Sequence, residues 1–182
     1  MFLEAKTTQI AGKLIQKAGG KLSFLSLLKL LYFADKQMLL DWGVPMTYDE
    51  WYAMPHGPVL SKTYNLIKAA PENSGTWGLH IRRNEWDVEL INDPGDDLTS
   101  EAEDEIIEKI FGEHGRKSKW QLRDLTHELP EWNDPGGSSN RITYKEVLQV
   151  AGLSADAIKE ILDNIEVEKA LADTPLAIAQ IS

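Results

Sequence analysis

The chain has 182 residues, no cysteine, 42% hydrophobic and 26% charged residues, and a formal net charge of −10. Those totals fit one ordinary globular domain large enough to bury its own core; they exclude disulfides, thiolate nucleophiles and cysteine-based metal sites. Residues 1–70 carry 8 Lys+Arg against 5 Asp+Glu, and residues 71–182 carry 11 against 24, a balance that disfavours nucleic acid, because phosphate contacts need a basic surface.

The beginning, MFLEAKTTQIAGKLIQ, lacks an unbroken apolar core and a small-residue cleavage site, so no signal peptide is expected. No window approaches the ~18 consecutive apolar residues of a membrane span. The expected location is the cytoplasm, with no membrane association. A first helix is predicted from about Leu3 to Ala18, with Ala5, Ile10, Leu14 and Ile15 on its apolar side and Gly19–Gly20 as its stop. Ser23 then stands as N-cap to FLSLLKLLYFADKQMLLDWG. That segment is apolar almost all round yet too short for a membrane, which predicts a core helix packed on several sides at the centre of the domain.

Gly43, Val44 and Pro45 lead into an extended, aromatic stretch, MTYDEWYAM. PHGPVL reads as a fixed turn between two prolines, and Ser61 as the cap of a helix KTYNLIKAA that Pro71 ends. Alternation from Leu79 to Ile91, with Asn84 between two runs, predicts a hairpin that pairs with the Tyr48–Met54 strand in one small antiparallel sheet. Beyond the DPGDD loop, Ser100 with Glu103 and Ser118 with Gln121 form capping boxes for helices ending near Phe111 and Pro130. Thr143 with Glu146 caps a short helix to Ala151, and Ser154 opens the last, to about Ala172. The predicted fold is α+β, mainly α-helical: a central hydrophobic helix, surrounding helices and a small antiparallel sheet. Residues 1–174 are expected to form one domain and 175–182 a disordered tail.

Several patterns resemble chemistry without carrying it. GEHGRKS (Gly112–Ser118) has no glycine directly before its lysine and follows a helix, so it is a helix stop and an N-cap, not a phosphate loop. The stretch around Gly152, with Leu148 before and Ile158 after, has helix-turn-helix spacing. Its second helix would present Asp156, Glu160 and Asp163 to phosphates, so it reads as a plain helical corner. His56, His80, His114 and His127 form no metal-binding pair, and His127 near a helix C-terminus is explained by the dipole there. No cofactor or metal is implied, and no signature block of a hydrolase or kinase is present. Most of the six tryptophans are expected in the core; Trp51 and Trp132, each beside a proline-bearing turn, are singled out for a surface role.

Three blocks in order, LLKLLYFADKQ (Leu27–Gln37), WYAMPHGPVLSKTYNLIK (Trp51–Lys68) and LTHELPEWNDP (Leu125–Pro135), followed by RITYKEVLQVAG, resemble the Panacea domain, the SocA-like antitoxin family. The resemblance implies a toxin–antitoxin role in a bacterial or phage-associated setting: neutralisation of a cognate toxin protein by direct binding, without enzymatic activity. One branch resembles a proteolytic adaptor that delivers its toxin to a Clp-type protease, and the tail ADTPLAIAQIS would then be a docking segment. A third reading is a hydrolase-like enzyme using His56 or His127, which requires an apolar pocket with a carboxylate beside the histidine. For a binding protein the expected contact residues are Trp51, Tyr52, His56, Gly57, Pro58, Tyr64 and Trp132. Turn geometry competes as the role of Gly57 and Pro58, and core packing as that of Trp51.

Overall fold

A computed structural model describes residues 1–69 and 75–173. The elements in chain order are α1 (Glu4–Lys17), β1 (Lys21–Ser23), α2 (Phe24–Trp42), β2 (Trp51–Met54), β3 (Gly57–Leu60) and α3 (Ser61–Lys68). They continue with α4 (Gly75–His80), β4 (Ile81–Asn84), β5 (Asp87–Leu90), α5 (Glu101–His114), α6 (Lys119–His127), β6 (Asn140–Ile142), α7 (Tyr144–Val150) and α8 (Ala155–Asp173). The fold is α+β and mainly helical, as the periodicity predicts. Among the described residues no helix is long and apolar enough to cross a membrane.

Helix α2 is the centre. The Ser23 side chain accepts from Ser26 N at its start, and Gly43 closes it in the left-handed conformation at φ +75°. It packs against α1, α5, α6, α7 and β3, so Leu27, Leu28, Leu30, Leu31, Tyr32, Ala34 and Leu39 are all buried. At about 1.5–3 kcal/mol for each large apolar side chain removed from water, this one helix supplies much of the driving force for folding. Three capping boxes form where the sequence places them, at Ser100/Glu103, Ser118/Gln121 and Thr143/Glu146. Helix α5 runs on past Phe111 to His114. The α7–α8 corner turns at Gly152, φ +85°.

The strands depart from expectation. There are two three-stranded antiparallel sheets among the described residues, β1-β5-β4 and β3-β2-β6, rather than one. The 81–90 hairpin pairs with Lys21–Ser23 (Leu22 opposite Val88), not with Trp51–Met54. The reason is local: Gly19 and Gly20, at φ +88° and +92°, swing the chain after α1 directly alongside β5, where Gly20 O accepts from Leu90 N. Leu79 lies in α4, and the hairpin turns at Glu85–Trp86, one residue past Asn84.

GPVL is likewise not a turn but strand β3, paired residue for residue with β2 from Trp51↔Leu60 to Met54↔Gly57. The turn is the dipeptide Pro55–His56 alone. Pro58 is tolerated because β3 is an edge strand. Ser61 does not cap α3, which has no local side-chain cap. The buried Asp49 does so from a distance, accepting from Lys62 N and Thr63 N, both at 2.8 Å, and from Thr63 Oγ1 at 2.7 Å. Pro71 and the tail after Asp173 lie outside the described residues.

Candidate functional site

The β2–β3 hairpin is held against α2 by a buried lysine. Lys29, fully buried, donates from Nζ to the Pro58 carbonyl at 2.7 Å. Burial among apolar neighbours pushes its amine down to about 7. Gly57 lies directly over it at φ +88°; a Cβ there would stand 2.9 Å from Lys29 Nζ and collide with Thr126 Oγ1. Glycine at 57 is thus demanded both by backbone conformation and by close approach.

Two further links tie the segment after α6 to the same place. Glu131 is buried and accepts on Oε1 from Tyr32 Oη at 2.9 Å and from Lys36 Nζ at 2.7 Å. Trp132 donates from Nε1 to the Met54 carbonyl at 3.1 Å and stacks on His127, with rings 3.9 Å apart and 5° from parallel. The His127 imidazole is held below its usual range by burial and by the cations Arg123 and Lys29. One turn beyond Tyr32 on α2, Asp35 accepts from Thr47 N, Thr47 Oγ1 and Trp51 Nε1 at 2.8, 2.9 and 2.9 Å. Its carboxyl is raised to about 6 by burial, against those hydrogen bonds. Lys29, Tyr32, Asp35 and Lys36 of α2 therefore clamp the two other sequence blocks in place.

What this scaffold presents to solvent is a groove of about 520 Å³. Its floor is the beginning of α2: Phe24, Leu25 and Leu28. Its walls are the two hairpin tips, Pro55–His56 on one side and Trp86 on the other, together with Trp120 in the first turn of α6. Trp86 is 65% exposed and Trp120 49%. Cations stand over its aromatic rings. Lys119 Nζ and Arg123 Cζ lie 5.2 and 5.0 Å from the Trp120 centroid, and Arg83 Cζ lies 4.8 Å from that of Phe24, which itself stacks on Trp86 at 6.2 Å. Contiguous exposed aromatics of this kind mark interaction surfaces, whereas scattered single ones do not.

Of the seven residues expected to make contacts, His56, Gly57 and Tyr64 line the groove. Trp51 is 1% exposed, packed edge-on against Tyr32 and Tyr144 and hydrogen-bonded to Asp35, so it builds the core instead of a surface. Pro58 is buried, and Tyr52 and Trp132 are half-buried outside the groove lining. The tryptophans as a set also reverse the expectation: Trp51 and Trp77 are buried, while Trp42, Trp86 and Trp120 are exposed. Trp86 and Trp120 sit at a hairpin tip and in a helix's first turn, where few neighbours can cover a large ring. Their signal in the sequence is flanking charge, Arg82–Arg83 before one and Lys119 before the other.

Among the described residues no group of three or more His, Asp or Glu side chains is placed to hold a metal ion. Among the described residues His56 lies in the groove lining and His127 stacks on Trp132, and neither has a carboxylate hydrogen-bonded to it.

The family model described as antitoxin SocA-like, Panacea domain, matches residues 27–133, a span that runs from α2 through Trp132 and covers more than half of the chain. No curated protein and no solved structure matches.

Proposed function

The chain belongs to the SocA-like antitoxin family, Panacea domain, and from that premise we propose that it neutralises a cognate toxin protein by binding it directly, without catalysing a reaction. The docking face in this reading is the aromatic groove between the two hairpin tips, with His56, Gly57 and Tyr64 in its lining and Trp132 behind the hairpin as its support. The observation that supports it most is the pair Trp86 and Trp120. Two large, solvent-exposed rings line one groove, and tryptophan is among the residue types most enriched where protein partners grip each other.

The test is a co-expression rescue. The protein encoded beside this one is expressed in a bacterial host alone, with the wild-type chain, and with chains carrying Trp86→Ser or Trp120→Ser. The expected result is toxicity relieved by the wild type together with a co-purifying complex, and rescue lost with either tryptophan variant although both fold. Toxicity relieved while the toxin disappears would instead indicate delivery to a Clp-type protease. A neighbour that is not toxic and does not co-purify would overturn the reading.

A further inference from the structure

The groove does not offer bare hydrocarbon. In a chain of net charge −10, Lys119 lines it, and Lys119, Arg123 and Arg83 each stand over an aromatic ring of its lining, Trp120 for the first two and Phe24 for the third. Arg123 is shared with Asp124 at 2.5 Å, whereas no carboxylate among the described residues pairs with Lys119 or Arg83. Lys119 and Arg83 stand on two different elements, α6 and β4, and Arg83 Nε also donates to the Glu85 carbonyl at 2.7 Å.

Resting on the reading that this groove is the docking face, we infer that its occupant is a linear segment of the partner that combines apolar side chains with carboxylates. The apolar floor of Phe24, Leu25 and Leu28 takes the hydrophobic residues. The cations over the lining rings meet the Asp or Glu between them. The shape favours a linear segment over a flat surface, because two hairpin tips and the start of α6 wall the floor on several sides. Single-stranded nucleic acid also stacks on aromatics, but it requires a basic track along its backbone. Here the sequence around the groove also carries Glu85 and Asp124.

The test is selection from a phage-displayed library of random peptides roughly twelve residues long, panned on the immobilised full chain. Peptides rich in Leu, Ile, Phe or Trp together with Asp or Glu are expected. Their binding should fall about tenfold or more on Trp120→Ser or Trp86→Ser, and weaken as salt rises. Lys119→Glu combined with Arg123→Glu should turn the selection toward basic apolar peptides, a reversal that a merely unfolded variant could not produce. Selection of neutral or basic peptides by the wild type, unchanged binding to the tryptophan variants, no enrichment at all, or tighter binding of a labelled oligothymidine would each overturn the inference. Because panning uses no toxin, a failed rescue with a positive selection sinks only the antitoxin reading, and the converse sinks only the occupant.

Discussion

Tyr32 Oη and Glu131 Oε1, ninety-nine positions apart in the chain, meet at 2.9 Å in the interior, with Lys36 Nζ sharing the same oxygen at 2.7 Å. This node joins the central helix to the segment that carries Trp132. A buried charge pair is worth little against an apolar substitute, but removing one partner strands the other.

Glu131→Ala should therefore cost about 3–5 kcal/mol, read as a lowered urea midpoint. Glu131→Gln, which keeps an acceptor for Tyr32, should cost markedly less. Wild-type midpoints for both variants would show that the node does not hold the fold together.

Lys29 makes stability depend on pH in a defined direction. Its folded value, about 7, lies below the ordinary 10.5, so between those values the unfolded chain binds more protons than the folded one. Stability should rise with pH across that window, by up to about 1.4 kcal/mol per pH unit from this group. Lys29→Met should flatten that rise, measured as the wild-type minus variant difference in denaturation at pH 7 and pH 9. The same variant removes a cation that depresses His127, so the His127 titration followed by NMR should move upward.

Two glycines should respond oppositely to alanine. At Gly57, positive φ and the collision with Lys29 and Thr126 predict a loss of roughly 1–3 kcal/mol. At Gly112, inside α5 with open space around it, alanine should gain about 0.5–1 kcal/mol. Thermal melting of the two variants checks both signs.

His56 and Trp132 separate surface from support. His56→Asp puts a carboxylate at an exposed turn in the groove lining, so toxin neutralisation should fall while the melting temperature holds. Trp132→Ala loses the Met54 hydrogen bond and the His127 stack, together about 2 kcal/mol. Its melting temperature should drop, and any loss of neutralisation should be partly recovered at lower temperature.

Most of the helices were legible because their signals are local; α4 was not read, and the Ser61 cap given to α3 did not form. Ser23, Ser100, Ser118 and Thr143 are caps whose partners lie three residues on, and α2 declares itself central by having no polar face. The sheets were not, because strands of three or four residues take their partners from where neighbouring helices deliver them, as Gly19–Gly20 does for β1. The groove was half legible. His56, Gly57 and Tyr64 stood out by motif, but Trp86 and Trp120 looked like core, since only the tertiary arrangement shows that nothing covers them. Lys29 and Asp35, charged residues inside an apolar helix, were not singled out by the sequence reading; that one carries the Pro58 carbonyl and the other the Trp51 indole is a fact of packing.

Asp49 caps α3 across thirteen and fourteen positions of chain, and the same residue's carbonyl accepts from Tyr144 Oη at 3.1 Å. Helix α3 thus has no start signal of its own and is written, in effect, in the conditional: it exists when the loop before β2 is docked. Amide exchange should register α3 and that loop as one unit that opens together. A partner that levers the hairpin would then unwind the helix that follows it.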